Sequence, residues 1–247
     1  MGHSRLISYK YIYIYVAKLF RCRSAEFDLH DSYGGWLADS YEYMDDPPDT
    51  IGWSTTVTDN GFVDPNHYSD PNIICHRGAA PSSIGGAASP GSTIDLEWTT
   101  WPDSHHGPVL DYLAPVSGDF ASIDKESLEW VKVDAGGLIS GSNPGTWATD
   151  QLIANNNTWS MTLPSDLAPG KYVLRHEIIA LHAAGQPNGA QNYPQCVNLE
   201  VSGSGSASPS GGEPATQFYT PNDPGILFNL YAQFDSYPIP GPPVWNA

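Results

Sequence analysis

A chain of 247 residues with 27 acidic and 10 basic side chains carries a formal net charge of -17. Such a charge repels phosphate backbones and anionic lipid surfaces, which argues against nucleic acid and membranes as partners. No apolar run in the sequence reaches the length of a membrane-spanning helix. A neutral polysaccharide meets no such repulsion, and a sequence pI near 4.5 suits a secreted, extracellular protein.

The composition is typical of an all-β protein. The chain holds 22 Pro, 24 Gly, 14 Tyr and 8 Trp, and only 15% of its residues are charged. This mixture favours short strands joined by ordered turns over helices. Because the length suits one large β-domain and nothing demands a second, we expect a single domain.

The first 30 residues carry only a weak signal. Residues 11–17 (YIYIYVA) are similar to the apolar core of a signal peptide, but they are rich in Tyr and are closely followed by Lys18 and Arg21. We therefore set residues 1–30 apart from the domain, which we expect at residues 31–247.

Strand-like alternation recurs along the rest of the chain. In residues 93–98 (TIDLEW) apolar side chains alternate with acidic ones, and residues 159–163 and 197–201 repeat the period. Residues 171–181 (KYVLRHEIIAL) are apolar on both faces, which is typical of a strand covered on both sides. With Pro and Gly turns between them, these segments predict a two-sheet sandwich.

The C-terminal part begins with a segment of linker composition, residues 202–214 (SGSGSASPSGGEP). The residues after it are too few for a separate carbohydrate-binding module and include no Cys to staple one, yet they hold the apolar run at residues 226–231 (ILFNLY). We expect a tail that packs back on the sandwich after a flexible loop.

Two adjacent histidines, His105 and His106, are the first candidates for a metal site. They lie in the segment WPDSHHGP at residues 101–108. Neighbouring side chains on an extended segment point to opposite faces, so at most one of the two can bind a given metal ion. Alone the pair is weak support for a metal site, since most such pairs are surface or capping histidines.

A second candidate combines His182 with the segment QNYPQC at residues 191–196. Gln191 and Tyr193 are two residues apart, so on a strand they share a face. A disulfide at Cys196 would hold that face still, and rigidity is what a metal site needs. From spacing alone, a buried Tyr with a hydrogen-bonded Gln beside an ordinary disulfide explains the pattern better.

Taken together, six collinear segments resemble the auxiliary activity family 9 lytic polysaccharide monooxygenases, formerly family 61 glycoside hydrolases. They are YGGW (33–36), IGWSTT (51–56), DPNIICH (70–76), WPDSHHGP (101–108), LRHEIIALH (174–182) and QNYPQC (191–196). The resemblance implies an antiparallel immunoglobulin- or fibronectin-like sandwich with long loops and a flat binding face. It also implies a secreted fungal protein that acts as a monomer.

The activity that the resemblance implies is copper-dependent oxidative cleavage of cellulose, a 1,4-β-D-glucan, or of a related β-glucan. It would use O2 or H2O2 and an external electron donor, either a small-molecule reductant or a cellobiose dehydrogenase-like protein. In the family one copper ion per chain is held by the amine and imidazole of an N-terminal His, a second His and an axial Tyr. Matched by position, the second His is His105 and the axial Tyr is Tyr193.

Other residues acquire roles from the same matching. His182 and Gln191 match the family's catalytic pair, which positions the oxygen species. Neutral nitrogen donors such as imidazole suit copper. Flat aromatic side chains suit a crystalline polymer that cannot enter a pocket. The residues matched to the glucose-stacking positions are Tyr41, Tyr43 and Tyr231.

Three further positions follow from the family pattern. Cys75 and Cys196 match its common disulfide, which leaves Cys22 as a free thiol among the three cysteines. Asn156 begins an Asn-Asn-Thr glycosylation sequon at a position where the family can carry a glycan. In a secreted chain this sequon favours a surface loop.

The N-terminus departs from the family pattern. Counting back the usual spacing from Tyr33 leads near Leu19, with no His close by, and His30 and His3 are wrongly placed. Residues 1–30 also lack the opening strand pattern.

Three explanations stay open for this departure, of which we favour a wrongly joined first exon. The chain is alternatively a catalytically impaired β-sandwich that binds glucan without oxidising it. In the third explanation, the first three residues capture Cu(II) outside the sandwich.

Among the possible functions, a conventional hydrolase that uses two carboxylates ranks last, because no carboxylate pair stands out near the matched face.

Overall fold

The computed structural model describes residues 51–57 and 59–246, and the backbone of residues 16–23. Within this part of the chain, the strands are β1 (Val16–Arg23), β2 (Gly86–Ala88), β3 (Thr93–Trp98), β4 (Val109–Val116), β5 (Val131–Gly136), β6 (Leu138–Ser140), β7 (Thr146–Trp147), β8 (Thr158–Thr162), β9 (Gly170–Ala180) and β10 (Gln191–Val201). The helices are α1 (Asn72–Cys75) and α2 (Ala148–Ala154), with short 3-10 turns at Pro65–His67, Phe120–Ser122, Lys125–Ser127 and Ala215–Gln217. None of the described helices is long and apolar enough to span a membrane.

Two sheets form the sandwich, which confirms the predicted all-β fold. The larger has the strand order β2-β10-β9-β4-β5 and the smaller the order β1-β3-β8, while β6 and β7 form a separate hairpin. One apolar cluster contains Leu96 from β3, Met161 from β8 and Leu174 from β9, so the two sheets pack face to face. The strands of both sheets pair antiparallel except at one edge of the larger sheet, where β2 pairs with β10 in parallel.

The strand patterns in the sequence translate directly into burial. In β3 the side chains alternate between partly buried and buried, as its period of two predicts. In β9 every residue from Tyr172 to Ala180 is buried, which confirms a strand covered on both sides. Leu174 faces the smaller sheet, whereas Val173 packs with residues of the C-terminal segment such as Ile226.

An opening strand is present, contrary to the expectation for residues 1–30. The backbone of Val16–Arg23 pairs antiparallel with β3, and Cys22 stands opposite Ile94 in the register. The position near Leu19 that the family spacing reaches therefore lies inside β1.

The C-terminal segment returns to the sandwich as predicted, but the loop before it is not free. Residues 202–214 are hydrogen-bonded to the body of the domain through two bridges, Leu167 with Ala207 and Trp130 with Glu213. These bridges hold the Gly- and Ser-rich segment against the domain at Ala207 and Glu213. Beyond them, Leu230 is fully buried in the core.

Candidate metal centre

The sheet brings the candidate residues to one end of the sandwich. Strand β9 runs antiparallel to both neighbours, with Ala180 opposite Gln191 of β10 and Ile178 opposite Val109 of β4. The segment before β4, the segment after β9 and the start of β10 therefore meet at the same end of the larger sheet. These are the segments that carry the predicted site residues.

His105 and His182 lie against each other at this end of the sheet. Their imidazole rings are stacked, with centroids 4.0 Å apart and planes inclined by 29°. Both side chains are partly exposed. The backbone N–H of Leu181 donates to the carbonyl of His106 at 2.8 Å, which ties the residue before His182 to the residue after His105.

Trp101 joins His105 to Tyr193. Its indole ring is only 1% exposed and makes edge contacts with the His105 ring at 5.8 Å and the Tyr193 ring at 5.2 Å. The indole N–H also donates to the carbonyl oxygen of His105 at 3.0 Å. His105 and Tyr193, distant in sequence, thus share one buried neighbour that contacts both.

The Tyr193 hydroxyl donates to Oε1 of Gln191 at 2.8 Å. The two side chains share a face of β10, as their spacing predicts. Tyr193 is only 5% exposed, and burial raises the pKa of its hydroxyl above the usual range. The phenol is therefore neutral throughout the physiological pH range.

Both imidazoles of the stacked pair favour the neutral form. Burial, followed by the positive charges of protonated His182 and His106, lowers the pKa of His105 to about 4. Burial also lowers the pKa of His182. A neutral imidazole keeps a lone pair on one ring nitrogen, which is the form that binds metal ions. Nδ1 of His105 lies 3.1 Å from the Ser104 hydroxyl, so the two atoms share a hydrogen bond.

These side chains suit copper by their chemistry. Neutral imidazole nitrogen is a preferred donor for copper, and a nearby phenol oxygen is compatible with it. Nδ1 of His182 is buried and has no hydrogen-bond partner within the described part of the chain, as expected of a polar atom that serves a bound ligand or water. The residues described contain no group of three or more His, Cys, Asp or Glu side chains placed to hold a metal ion.

Cys75 and Cys196 form a disulfide, with Cα atoms 5.3 Å apart. Cys196 follows Tyr193 by three residues on β10, and Cys75 ends α1. The bond joins α1 to the strand that carries Tyr193, so it restrains the strand near the candidate site.

Tyr231 lies on the surface, with 53% of its side chain exposed, directly after the fully buried Leu230. Its segment is anchored near His182, because the N–H of Phe228 donates to the carbonyl of Ala184 at 2.9 Å. The apolar run of the sequence alone would place Tyr231 in the core. Tyr41 and Tyr43 lie outside the described residues.

Asn156 is exposed in the turn between α2 and β8 and has a φ of 55°. Its neighbour Asn157 supports the candidate site in a way that the sequence did not suggest. The Asn157 side-chain oxygen accepts from the N–H of Trp101 at 2.9 Å, and its carbonyl accepts from Trp98. The Asn-Asn repeat was the available signal, since Asn often occupies such left-handed turn positions.

A family model for Auxiliary Activity family 9 (formerly GH61) matches residues 28–237 of the chain. The chain belongs to this family. It is 58% identical over 215 residues to the AA9 family lytic polysaccharide monooxygenase A of Malbranchea cinnamomea, a match that covers 87% of this chain and 64% of that protein. The chain therefore spans less than two thirds of that relative's length.

Solved structures of the same family share the fold. The extended catalytic domain of lytic polysaccharide monooxygenase 9A from H. jecorina has a TM-score of 0.82 and 51% identity, over 85% of this chain and 84% of that one. A cellulose-active polysaccharide monooxygenase from M. thermophila has a TM-score of 0.70 and 34% identity, over 81% and 89%. The sandwich is thus the immunoglobulin-like fold of this family. Auxiliary Activity family 9 consists of secreted fungal, copper-dependent polysaccharide monooxygenases, which confirms the predicted enzyme class.

Proposed function

We propose that this chain is a secreted enzyme that cleaves cellulose by copper-dependent oxidation. The observation that carries the proposal is the arrangement around Trp101, whose ring contacts both His105 and Tyr193 while His105 stacks on His182. The neutral imidazole of His105 and the neutral phenol of Tyr193 therefore both contact one Trp ring at the end of the larger sheet. The cellulose-active relative from M. thermophila favours cellulose as the substrate.

In this proposal His105 and Tyr193 would hold one copper ion, His105 through a ring nitrogen and Tyr193 through its hydroxyl. The family takes its remaining nitrogen donors from an N-terminal His, whereas the matching position near Leu19 lies inside β1, a strand that contains no His. A bound copper ion would supply one-electron chemistry with O2 or H2O2 after reduction by an external donor. When H2O2 is the oxidant, hydroxylation of a sugar C–H bond releases one water molecule. When O2 is the oxidant, the reaction also releases one water molecule but consumes two electrons and two protons.

His182 and Gln191 are assigned to proton handling and orientation. The His182 imidazole can accept or donate a proton at a ring nitrogen, and its lowered pKa keeps it mostly neutral between transfers. Oε1 of Gln191 accepts a hydrogen bond from the Tyr193 hydroxyl at 2.8 Å. This bond fixes the orientation of the Gln191 carboxamide, so that its amide nitrogen could donate a hydrogen bond to the oxidant. These two residues would direct the oxidant toward the sugar.

Tyr231 is assigned to substrate binding, together with Tyr41 and Tyr43. An exposed aromatic face offers stacking area to a glucose ring on a crystalline surface. The net charge of -17 causes no repulsion, because cellulose is uncharged. Phe228, three residues before Tyr231, is hydrogen-bonded to Ala184 in the loop that follows His182, which supports this assignment.

The test uses the secreted protein with its mature N-terminus determined by sequencing. Copper affinity is measured by titration calorimetry, the Cu(II) site by electron paramagnetic resonance, and oxidised cello-oligosaccharides by mass spectrometry with ascorbate and H2O2. We expect His105→Ala to abolish tight copper binding and products, whereas His67→Ala, at an exposed histidine, leaves both intact. Wild-type protein that binds cellulose but yields no copper-dependent products would instead be a glucan-binding module.

A further inference from the structure

The second histidine of the pair, His106, points away from the candidate copper site. Its Nδ1 lies 3.1 Å from Oδ1 and 3.2 Å from Oδ2 of Asp150 in helix α2. Both side chains are mostly buried, with 18% and 28% exposed. This contact is separate from the His105 and His182 stack, and none of the roles assigned above uses it.

Asp150 is itself fixed at the start of α2. Its Oδ2 accepts a hydrogen bond at 2.7 Å from the backbone N–H of Trp147, the residue that precedes the first turn of the helix. The helix is anchored in the core through Leu152, which is fully buried. A carboxylate held in this way offers His106 a partner at a defined position.

The backbone on either side of His106 is tied to the same two elements. Its carbonyl accepts from Leu181, the residue before His182, and the N–H of Gly107 donates to the Thr149 hydroxyl of α2 at 3.0 Å. His106 is therefore the point where the His105 segment, the end of β9 and helix α2 are joined. If the His106 ring moved away from Asp150, the backbone of residues 105–107 would be held less firmly, and so would His105.

We propose that His106 and Asp150 form a positioning pair that holds the His105 imidazole against His182. The inference rests on the proposed function, because the purpose of this placement is to present His105 to copper. Neither residue is a copper ligand, and the pair acts only through the backbone of residues 105–107. Contacts that orient a metal ligand from behind contribute about 10-fold or more to metal affinity.

Two variants of nearly equal shape separate the hydrogen bond from packing. His106→Asn keeps an N–H donor at the place of Nδ1, whereas His106→Leu removes the donor and keeps the branched shape. His67→Leu is the matched control, because His67 makes a similar Nδ1 contact with Asp64 at 2.9 Å, outside the His105 segment. Melting temperatures of all three variants monitor the fold.

The first measurement is made on the copper-free protein, by imidazole nitrogen NMR of His105 and His182. We expect shifted resonances in His106→Leu and near wild-type resonances in His106→Asn and His67→Leu. Unchanged His105 and His182 resonances in a folded His106→Leu protein would overturn the inference. Because no copper is present, this result is independent of the proposed function.

The second measurement is copper affinity by calorimetry, with the Cu(II) resonance spectrum recorded for each variant. We expect about 10-fold weaker binding and altered hyperfine splitting in His106→Leu, with recovery in His106→Asn. A lower melting temperature without any change in affinity or spectrum would make the pair purely structural and would reject our inference. Failure of the wild-type protein to bind copper would instead reject the proposed function, while the NMR comparison still decides the positioning role.

Discussion

Asn192 donates a hydrogen bond to the carboxylate of Glu177 at 2.9 Å, from β10 to β9. Asn192 lies between Gln191 and Tyr193, so the core side of the strand is fixed by Glu177 while the other side carries two proposed site residues. Glu177 in turn receives two hydrogen bonds from Arg175, at 2.7 and 2.9 Å, and both charged side chains are fully buried. A buried ion pair thus supports the strand on which Tyr193 lies.

Glu177→Gln should therefore destabilise the protein strongly. The substitution leaves the Arg175 guanidinium buried without its countercharge, a change that costs about 3–5 kcal/mol. The free energy of unfolding in urea measures the effect. Glu126→Gln, at an exposed carboxylate, should change it by less than about 0.5 kcal/mol. Equal losses in the two variants would contradict the role of the ion pair.

The buried imidazole of His76 should make stability depend on pH. Burial and then the charge of Arg77 lower its pKa to about 4, from an ordinary value of 6.5. Nδ1 of His76 accepts the N–H of Arg77 at 2.8 Å, so protonation there would break this bond. Between pH 6.5 and 4 the unfolded chain binds a proton that the folded chain does not. Stability from this group is complete above pH 6.5 and is lost as the pH falls toward 4.

The expected loss across that window is about 3 kcal/mol, from the shift of the His76 pKa. Urea unfolding at a series of pH values measures it for the wild type and for His76→Asn. Asn does not titrate and tolerates the φ of 80° at this position. The variant should show a shallower slope, by about 1.4 kcal/mol per pH unit. Parallel slopes would mean that His76 titrates normally in the folded protein.

Periodicity was sufficient to predict the sandwich, because each strand's pattern follows from which of its faces is covered. The alternation in β3 and the continuous apolar run in β9 both appear in the burial of those strands. The parallel edge strand β2 was not predictable, since the short segment GAA has no distinctive pattern. The pairing of residues 202–214 likewise depends on distant backbone partners that composition does not reveal.

The residues of the candidate site could be predicted only by matching their positions to the family pattern. Spacing placed Gln191 and Tyr193 on one face, and their hydrogen bond agrees with it. Nothing local indicates that His105 stacks on His182, because that contact depends on strand order. The supporting role of Trp101 was missed for the same reason, because its contacts with His105 and Tyr193 depend on how distant segments of the chain meet.

The disulfide between Cys75 and Cys196 should contribute substantially to stability. It closes a loop with a sequence separation of 121 residues, and closing a loop of this size restricts the unfolded chain by about 5 kcal/mol in the chain-entropy description. The double variant Cys75→Ala/Cys196→Ala should melt at a clearly lower temperature and be insensitive to reductant. Ser208→Ala, at an exposed position, is the control and should melt like the wild type. If reductant leaves the wild-type melting temperature unchanged while free thiols appear, the bond contributes nothing.

Removing the Tyr231 ring should weaken cellulose binding without affecting the fold. The side chain is 53% exposed, so Tyr231→Ala removes little buried area. An aromatic stacking contact contributes about 0.5–1.5 kcal/mol, which corresponds to about 2- to 10-fold weaker adsorption on microcrystalline cellulose. Tyr231→Phe keeps the flat ring and should bind almost normally. Ile84→Ala removes an exposed apolar side chain, 40% exposed, near the opposite end of β10 and should leave adsorption unchanged. Adsorption isotherms that are the same for Tyr231→Ala and Ile84→Ala would remove Tyr231 from the binding face, and the glucan would then have to contact the sandwich elsewhere.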